Sequence, residues 1–334
     1  MVSAVIFVAT SCVSPLTGFA FWETNLAYEG ESIYNYLQVK NLSDRTILST
    51  NVLFGVQSVT MKDKGLTGMY YDTALAAPAL ADNANSALIL GMGTGTYARQ
   101  LKQYYPKMNI TGVEIDQKIT DLAGEYFDEP ADIPVTTYDG RAWLAASHDK
   151  YDVIMVDAYQ DITIPFQMSS TEFFTMVREH LNPGGVMVVN MNMISGGQGS
   201  INEALSDTIA SVFGNGNTLT ADVPNTTNRE LFAKKPGSGS EENSMQQASK
   251  ALNLRETTYE RTGSEDLEWY MEEVASRFRK VNEPDSASTI LTDDKAPVEV
   301  LGMRAIDQII ADEAGPYRQI LKDEGFGGLL RAVQ

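Results

Sequence analysis

The sequence predicts an α/β protein, a doubly wound parallel sheet preceded by a small antiparallel β domain. Two observations carry this expectation. From Ser86 onward, apolar strands alternate with helical stretches and glycine turns, and those strands are apolar at consecutive positions, as strands covered on both faces must be. Before them, from Glu31, short β-type runs are separated by polar turn residues such as Asn41-Leu42-Ser43-Asp44, the pattern of a small antiparallel sheet.

The first 22 residues hold no charged side chain and are rich in Val, Ile, Phe and Ala. Their length suits a membrane span, while Pro15, Gly18 and several Ser and Thr suit it less, so 1–22 reads either as a membrane segment or as an apolar N-terminal helix. The β runs Ser32 to Val39, Thr46 to Asn51 and Val56 to Met61 follow. Tyr70 to Leu80, rich in Ala and Leu, reads as a helix interrupted or ended near Pro78.

The alternating region then gives strands at Ala87 to Leu90, Ile110 to Asp116, Val135 to Asp139, Tyr151 to Asp157 and Val186 to Asn190. Helices are expected from Tyr97 to Tyr105, Lys118 to Tyr126, Arg141 to Ala146 and Thr171 to Leu181. Gly237 to Ser244 is a polar linker, Ala248 to Arg279 reads as helical, and the last thirty or so residues read as helix again. The expected division is therefore 1–22, a β domain over 23–68, a nucleoside-binding catalytic domain over 69–236 and a mostly helical extension over 237–334.

Composition narrows the chemistry. The 334 residues carry a formal charge of −19, with 44 acidic against 25 basic side chains, which argues against a nucleic-acid partner and suits a small cationic one. Cys12 stands alone, so no internal disulfide forms, and two histidines, His148 and His180, leave little for a metal cluster; no metal is expected.

Gly91-Met92-Gly93-Thr94-Gly95 joins a strand to a helix, where glycines let the backbone approach a ligand. Some twenty residues on, Glu114 ends the next strand, where a carboxylate accepts the hydroxyls of a ribose. Asp139-Gly140, after the third strand, is placed to meet an adenine amino group. The loop carries no basic side chain for a pyrophosphate, so a phosphate-free adenosyl sulfonium is favoured over NAD, which the glycine spacing leaves open. Asp157 ends the fourth strand at the carboxyl edge of the sheet, where it can take a proton from an ammonium or hold a cation. The fold class becomes a Rossmann-like sheet of the class I S-adenosylmethionine-dependent transferase type.

From about Glu31 to Phe232 this ordered set resembles the polyamine aminopropyltransferases, the spermidine synthase family, and more narrowly a bacterial branch often fused behind a membrane region. The resemblance rests on Gln57, Tyr70-Tyr71-Asp72, the glycine loop, Val113-Glu114-Ile115-Asp116, Tyr138-Asp139-Gly140, Val156-Asp157 and a closing motif at Thr292-Asp293-Asp294-Lys295-Ala296-Pro297-Val298-Glu299. It implies attack of an amine such as putrescine on the aminopropyl carbon of decarboxylated S-adenosylmethionine, releasing methylthioadenosine.

By matching position, Asp157 is then the catalytic base. Gly91, Gly93, Thr94, Gly95, Glu114, Asp139, Gly140 and Tyr71 bind the adenosyl donor, and Gln57, Tyr70, Asp72, Tyr159, Gln160 and Asp161 line the amine site. A homodimer and a cytoplasmic catalytic domain, with 1–22 as the candidate anchor, are also implied. Two positions depart from the family: Thr94 stands where its glycine loop carries an Asp for the aminopropyl amine, and Gln160 where its fourth-strand loop has a second Asp, with Asp161 one place further. The same scaffold also accommodates a methyltransferase using intact S-adenosylmethionine, or a non-catalytic polyamine- or nucleoside-binding domain.

Overall fold

The computed structural model describes residues 23–51, 56–63, 65–158, 164–192, 199–237, 244–286, 288–305, 307 and 322. Four strands, β1 (Leu26–Glu31), β2 (Tyr36–Asn41), β3 (Arg45–Thr50) and β4 (Ser58–Met61), pair antiparallel in that order. The first is not apparent from the sequence, and the run expected to start at Ser32 starts at Tyr36. Ser32 Oγ accepts from the backbone N–H of Tyr34 at 3.0 Å and of Asn35 at 2.9 Å, closing a turn there. That turn is pinned to the larger sheet, since Asn35 Nδ2 donates to Asp116 Oδ2 at 3.0 Å. Leu37, Val39 and Leu48 pack on Ile119, Leu122 and Phe127, so the small sheet shares a core with the helix beneath it.

The helical stretch after the small sheet divides into α1 (Tyr70–Ala74) and α2 (Ala76–Leu80). Its break falls at Leu75 rather than near Pro78. Pro78 sits in the first turn of α2, where a missing N–H removes no intrahelical bond, so it does not end the helix.

The central sheet is built from β5 (Ser86–Leu90), β6 (Asn109–Glu114), β7 (Val135–Thr137), β8 (Tyr151–Val156), β9 (Leu181–Met191), β10 (Thr218–Asp222), β11 (Arg229–Lys234) and β12 (Phe278–Lys280). Their order is β12-β10-β11-β9-β8-β5-β6-β7. The strands β9, β8, β5, β6 and β7 are parallel as expected, whereas β11, β10 and β12 extend the sheet antiparallel. At this edge, beyond the strands read from the sequence, β10 and β11 are joined by a short turn, closed by Val223 N–H donating to Asn228 O at 3.0 Å. Such a turn makes a hairpin, while parallel strands need a long crossover.

Helices cover both faces: α3 (Thr96–Tyr104), α4 (Gln117–Tyr126), α5 (Gly140–Ala146), α6 (Thr171–His180) and α7 (Ile201–Phe213). Every residue of β8 is buried, which is why its sequence is a continuous apolar run broken by Asp152 alone. After α8 (Ser244–Ala248), α9 (Ala251–Thr262) and α10 (Glu265–Arg277), the chain returns as β12 to pair with β10. Leu254, Leu267, Met271 and Val274 join the same core cluster as Ala87 and Val153 of the sheet. The described part of the C-terminal extension thus packs on the central sheet as part of the same core. Among the described residues no helix is long and apolar enough to cross a membrane; 1–22 lie outside them.

Candidate active site

In an open α/β sheet the ligand crevice lies beyond the carboxyl ends of the strands, where the winding reverses. Here the chain runs β5 to β6 to β7 in one direction and then β8 to β9 in the other, so the reversal falls between β5 and β8. The ends of those strands carry Gly91 and Asp157, and a cavity of about 300 Å³ opens above them.

The glycine loop shapes its floor. Gly91, Gly93 and Gly95 all have positive φ, of 88°, 56° and 78°. Gly91 and Met92 both donate backbone N–H to Val113 O, at 2.9 and 3.0 Å, and Gly93 N–H donates to Glu114 Oε2 at 2.8 Å. Asp116 N–H donates to the other oxygen, Oε1, at 3.0 Å, so the Glu114 carboxylate is fixed in orientation with lone pairs left over. Burial pushes Glu114 up, and the two backbone donors oppose that shift.

Asp157 is the better-held acid. Its Oδ2 accepts from Tyr70 OH at 2.6 Å and its Oδ1 from Asn190 Nδ2 at 2.9 Å. As a residue it keeps some exposure toward the cavity, yet desolvation pushes its carboxyl up to about 7, against the Tyr70 and Asn190 hydrogen bonds and with the help of the Glu114 charge. Tyr70 is itself pushed well above its usual range by burial and then by the Asp157 charge, so it stays a donor.

Gln57, Tyr71, Gly91, Gly93, Glu114 and Asp139 line the cavity, as do Gly140 and Asp157. Tyr71 stacks on Tyr70 with centroids 4.0 Å apart and donates its OH to Gln57 O at 2.9 Å, tying the small sheet to the site. Asp139 caps α5 by accepting from Ala142 N–H at 2.7 Å and faces the cavity with Tyr138.

Three expected contacts are placed otherwise. Asp72 is buried and spends its carboxylate on the turn before α1, accepting from Thr67 N–H and Oγ1 at 2.9 Å each, from Gly68 N–H at 2.6 Å and from Gln100. It therefore holds the turn that aims Tyr70 and is not free for an amine. Thr94 and Gly95 lie off the cavity wall: Gly95 caps α3 in the left-handed conformation, and Thr94 is buried with no partner for its hydroxyl among the described residues. Tyr159, Gln160 and Asp161 lie outside the described residues.

The sequence reading missed Asn190. Its signal was a polar residue closing the apolar run of β9, the same signal that singled out Asp157 on β8. It also missed Tyr34 and Asn35, which reach the cavity from the β1–β2 turn.

The motif at Thr292 to Glu299 braces the opposite wall. Arg141 binds Asp293 in bidentate fashion, Nη1 to Oδ1 at 2.8 Å and Nη2 to Oδ2 at 2.6 Å, and Nη1 also donates to Gln167 O at 2.7 Å. Gln167 and Met168 line the cavity. Bidentate geometry raises such a pair above the usual surface value, so Arg141→Met is expected to cost about 1 kcal/mol, lowering Tm by roughly 2–4 °C. An unchanged Tm in that variant would mean that the pair does not brace the wall.

Three carboxylates, Glu114, Asp139 and Asp157, and neither Lys nor Arg stand among the described lining residues. That lining favours a cation over an anion.

Comparison with known proteins agrees with this geometry. Residues 69–235 match the family model of the spermine/spermidine synthase domain. The whole chain is 99% identical to a probable polyamine aminopropyl transferase of Bifidobacterium longum (strain NCC 2705), spanning 75% of that protein. A polyamine aminopropyltransferase of Corynebacterium efficiens is 37% identical over 36% of this chain and 25% of its own length. Among solved structures, a probable spermidine synthase from Corynebacterium glutamicum shares the fold at a TM-score of 0.54 and 20% identity, covering 80% of this chain and 99% of that one.

Proposed function

Since the chain belongs to the spermine/spermidine synthase family, a family of polyamine aminopropyltransferases, we propose that Asp157 is the base of an aminopropyl transfer performed in this cavity. The observation that carries the assignment is the Asp157 carboxylate at the switch point, held by Tyr70 and Asn190 and raised to about 7. A base with that value is half ionised near neutral pH and can accept a proton from an ammonium arriving beside it.

The chemistry is a displacement. The amine nitrogen, having given a proton to Asp157, attacks the aminopropyl carbon bound to sulfur; the C–N bond forms as the C–S bond breaks, and the sulfur keeps the electron pair as methylthioadenosine leaves. Little else is needed, because a sulfonium is already a good leaving group and positioning supplies much of the rate. Glu114 orients the ribose, Asp139 meets the adenine, and Gly91 and Gly93 let the nucleoside lie against the backbone. Tyr71 and Gln57 wall the donor from the small sheet.

The decarboxylated donor fits this wall better than intact S-adenosylmethionine. An intact methionine end would bring a carboxylate into a cavity whose described lining offers carboxylates and no Lys or Arg to pair with it. The same feature weighs against a methyltransferase reading.

Calorimetric titration with methylthioadenosine, decarboxylated and intact S-adenosylmethionine, each with and without putrescine, tests the reading. Methylthioadenosine and the decarboxylated donor should bind, the donor at least about tenfold more tightly than its intact form, a difference of about 1.4 kcal/mol. Tighter binding of the intact donor would favour methyl transfer, and no binding of any of the three would remove the nucleoside site.

A further inference from the structure

Asp157 is held from two sides, and its supports are secured in different ways. Tyr70 reaches Oδ2 from α1, whose preceding turn Asp72 fixes, while Asn190 Nδ2 reaches Oδ1 from β9 at 2.9 Å. An ionised carboxylate accepts and cannot donate, so the Asn190 amide must turn its NH2 toward Asp157 and its oxygen away. The amide torsion is broad and close to two-fold, and a half-turn would set that oxygen against the carboxylate, exchanging a hydrogen bond for a repulsion. A donor behind the oxygen selects the productive orientation.

That donor is Asn228, whose Nδ2 gives a hydrogen bond to Asn190 Oδ1 at 2.8 Å. Glu230 of β11 is registered opposite Asn190 of β9, which sets Asn228, two residues earlier, diagonally across from Asn190 on the same face of the sheet. The β10–β11 turn that carries Asn228 is itself closed by hydrogen bonds. Thr226 Oγ1 donates to Val223 O at 3.2 Å and accepts from Asn228 N–H at 3.1 Å. Thr227 Oγ1 donates to Asn192 Oδ1 at 3.0 Å, so the turn grips the carboxyl end of β9 through both Thr227 and Asn228. Of these two ties, the one from Asn228 leads on to Asp157. None of the motifs that carry the family resemblance includes this turn.

Resting on the reading of Asp157 as the base, we propose that Asn228 is a positioning residue of the transfer, orienting the Asn190 amide so that its N–H meets the Asp157 carboxylate. The chain from Asn228 through Asn190 to Asp157 runs in one direction, each N–H pointing at the next oxygen, and such chains strengthen the bonds within them. It favours the ionised carboxylate, the form that takes a proton from the amine. Burial drives Asp157 toward its protonated form, and the hydrogen bonds from Tyr70 and Asn190 work against burial. The titratable groups that face it are Tyr70 and Tyr71 of α1, Glu114 of β6 and Glu230 of β11, and a change at Asn228 leaves them in place.

Asn228→Leu keeps the bulk of the side chain and removes the donor; Asn228→Ala is the second variant should the first not fold. In either, the midpoint of the rise of kcat/KM with pH should move up by at least about 0.5 pH unit, roughly a threefold gain in proton affinity at the base, with the Kd for methylthioadenosine changed less than about twofold. Thr227→Val cuts the other tie of the same turn and should leave the midpoint within about 0.2 pH unit of wild type, which a merely structural role of the turn would not do. Because Asn228 acts through Asn190, Asn228→Leu should add no further shift in an Asn190→Ala background. An unmoved midpoint in the folded Asn228 variants, an equal shift in Thr227→Val, or a full shift on top of Asn190→Ala overturns the proposal. A wild-type kcat/KM that does not rise through about 7 would instead overturn the assignment of Asp157 as the base.

Discussion

Asp157→Asn is expected to lower kcat for aminopropyl transfer by about a thousandfold, within the range that a positioned general base contributes, while methylthioadenosine binds within about threefold of wild type. The substitution leaves the size of the side chain and its place between Tyr70 and Asn190 but removes the only group in the pair of bonds able to take a proton. Single-turnover transfer with the decarboxylated donor and putrescine measures the loss. Turnover within tenfold of wild type would remove Asp157 as the base.

The pH dependence follows from the same carboxyl. As the proposed base Asp157 must be ionised to act, so kcat/KM should rise with pH through about 7, the value to which burial lifts its carboxyl. Stability moves the other way. The folded-state value lies above the ordinary 3.8, so this group's contribution is complete below about 4 and is lost as pH rises through 7. Asp157→Asn cannot ionise, and its Tm should therefore fall less than that of wild type between pH 5 and pH 8.

Gly91→Ala should have the second large effect, on the fold and the donor site together. A Cβ at Gly91 would lie 2.4 Å from the Asp157 carbonyl oxygen, 2.7 Å from its carbon and 2.9 Å from Ala158 N, all backbone atoms, at a φ of 88°. Neither the clash nor the left-handed conformation is relieved by a side-chain rotation, so β5 and β8 must part at their carboxyl ends. A cost of about 3 kcal/mol or more is expected, lowering Tm by roughly 6–12 °C and weakening methylthioadenosine by at least about a hundredfold. Gly124→Ala is the control. That position is exposed on α4 with nothing within 4 Å of a Cβ, and the change should stabilise by up to about 1 kcal/mol. Equal effects of the two substitutions would mean that Gly91 is not a close-approach position.

The α/β class and the order of the site motifs could be read from the sequence alone, because both are local. A strand covered on both faces must be apolar throughout, and the end of each such strand is marked by its first polar or glycine residue. That rule located Gly91, Glu114, Asp139 and Asp157, and applied to β9 it would have located Asn190. Which of those residues meet was decided by strand order, and strand order is set by pairings between segments far apart in the chain. Tyr70 reaches Asp157 across 87 positions, and Arg141 reaches Asp293 across 152. The same long-range packing turned Asp72 into the support of its own turn and made the C-terminal extension an edge of the central sheet. Residue type and spacing say what a side chain can do; only the tertiary structure determines which groups remain beside it to be satisfied, because desolvation and hydrogen bonding act through space and not along the chain.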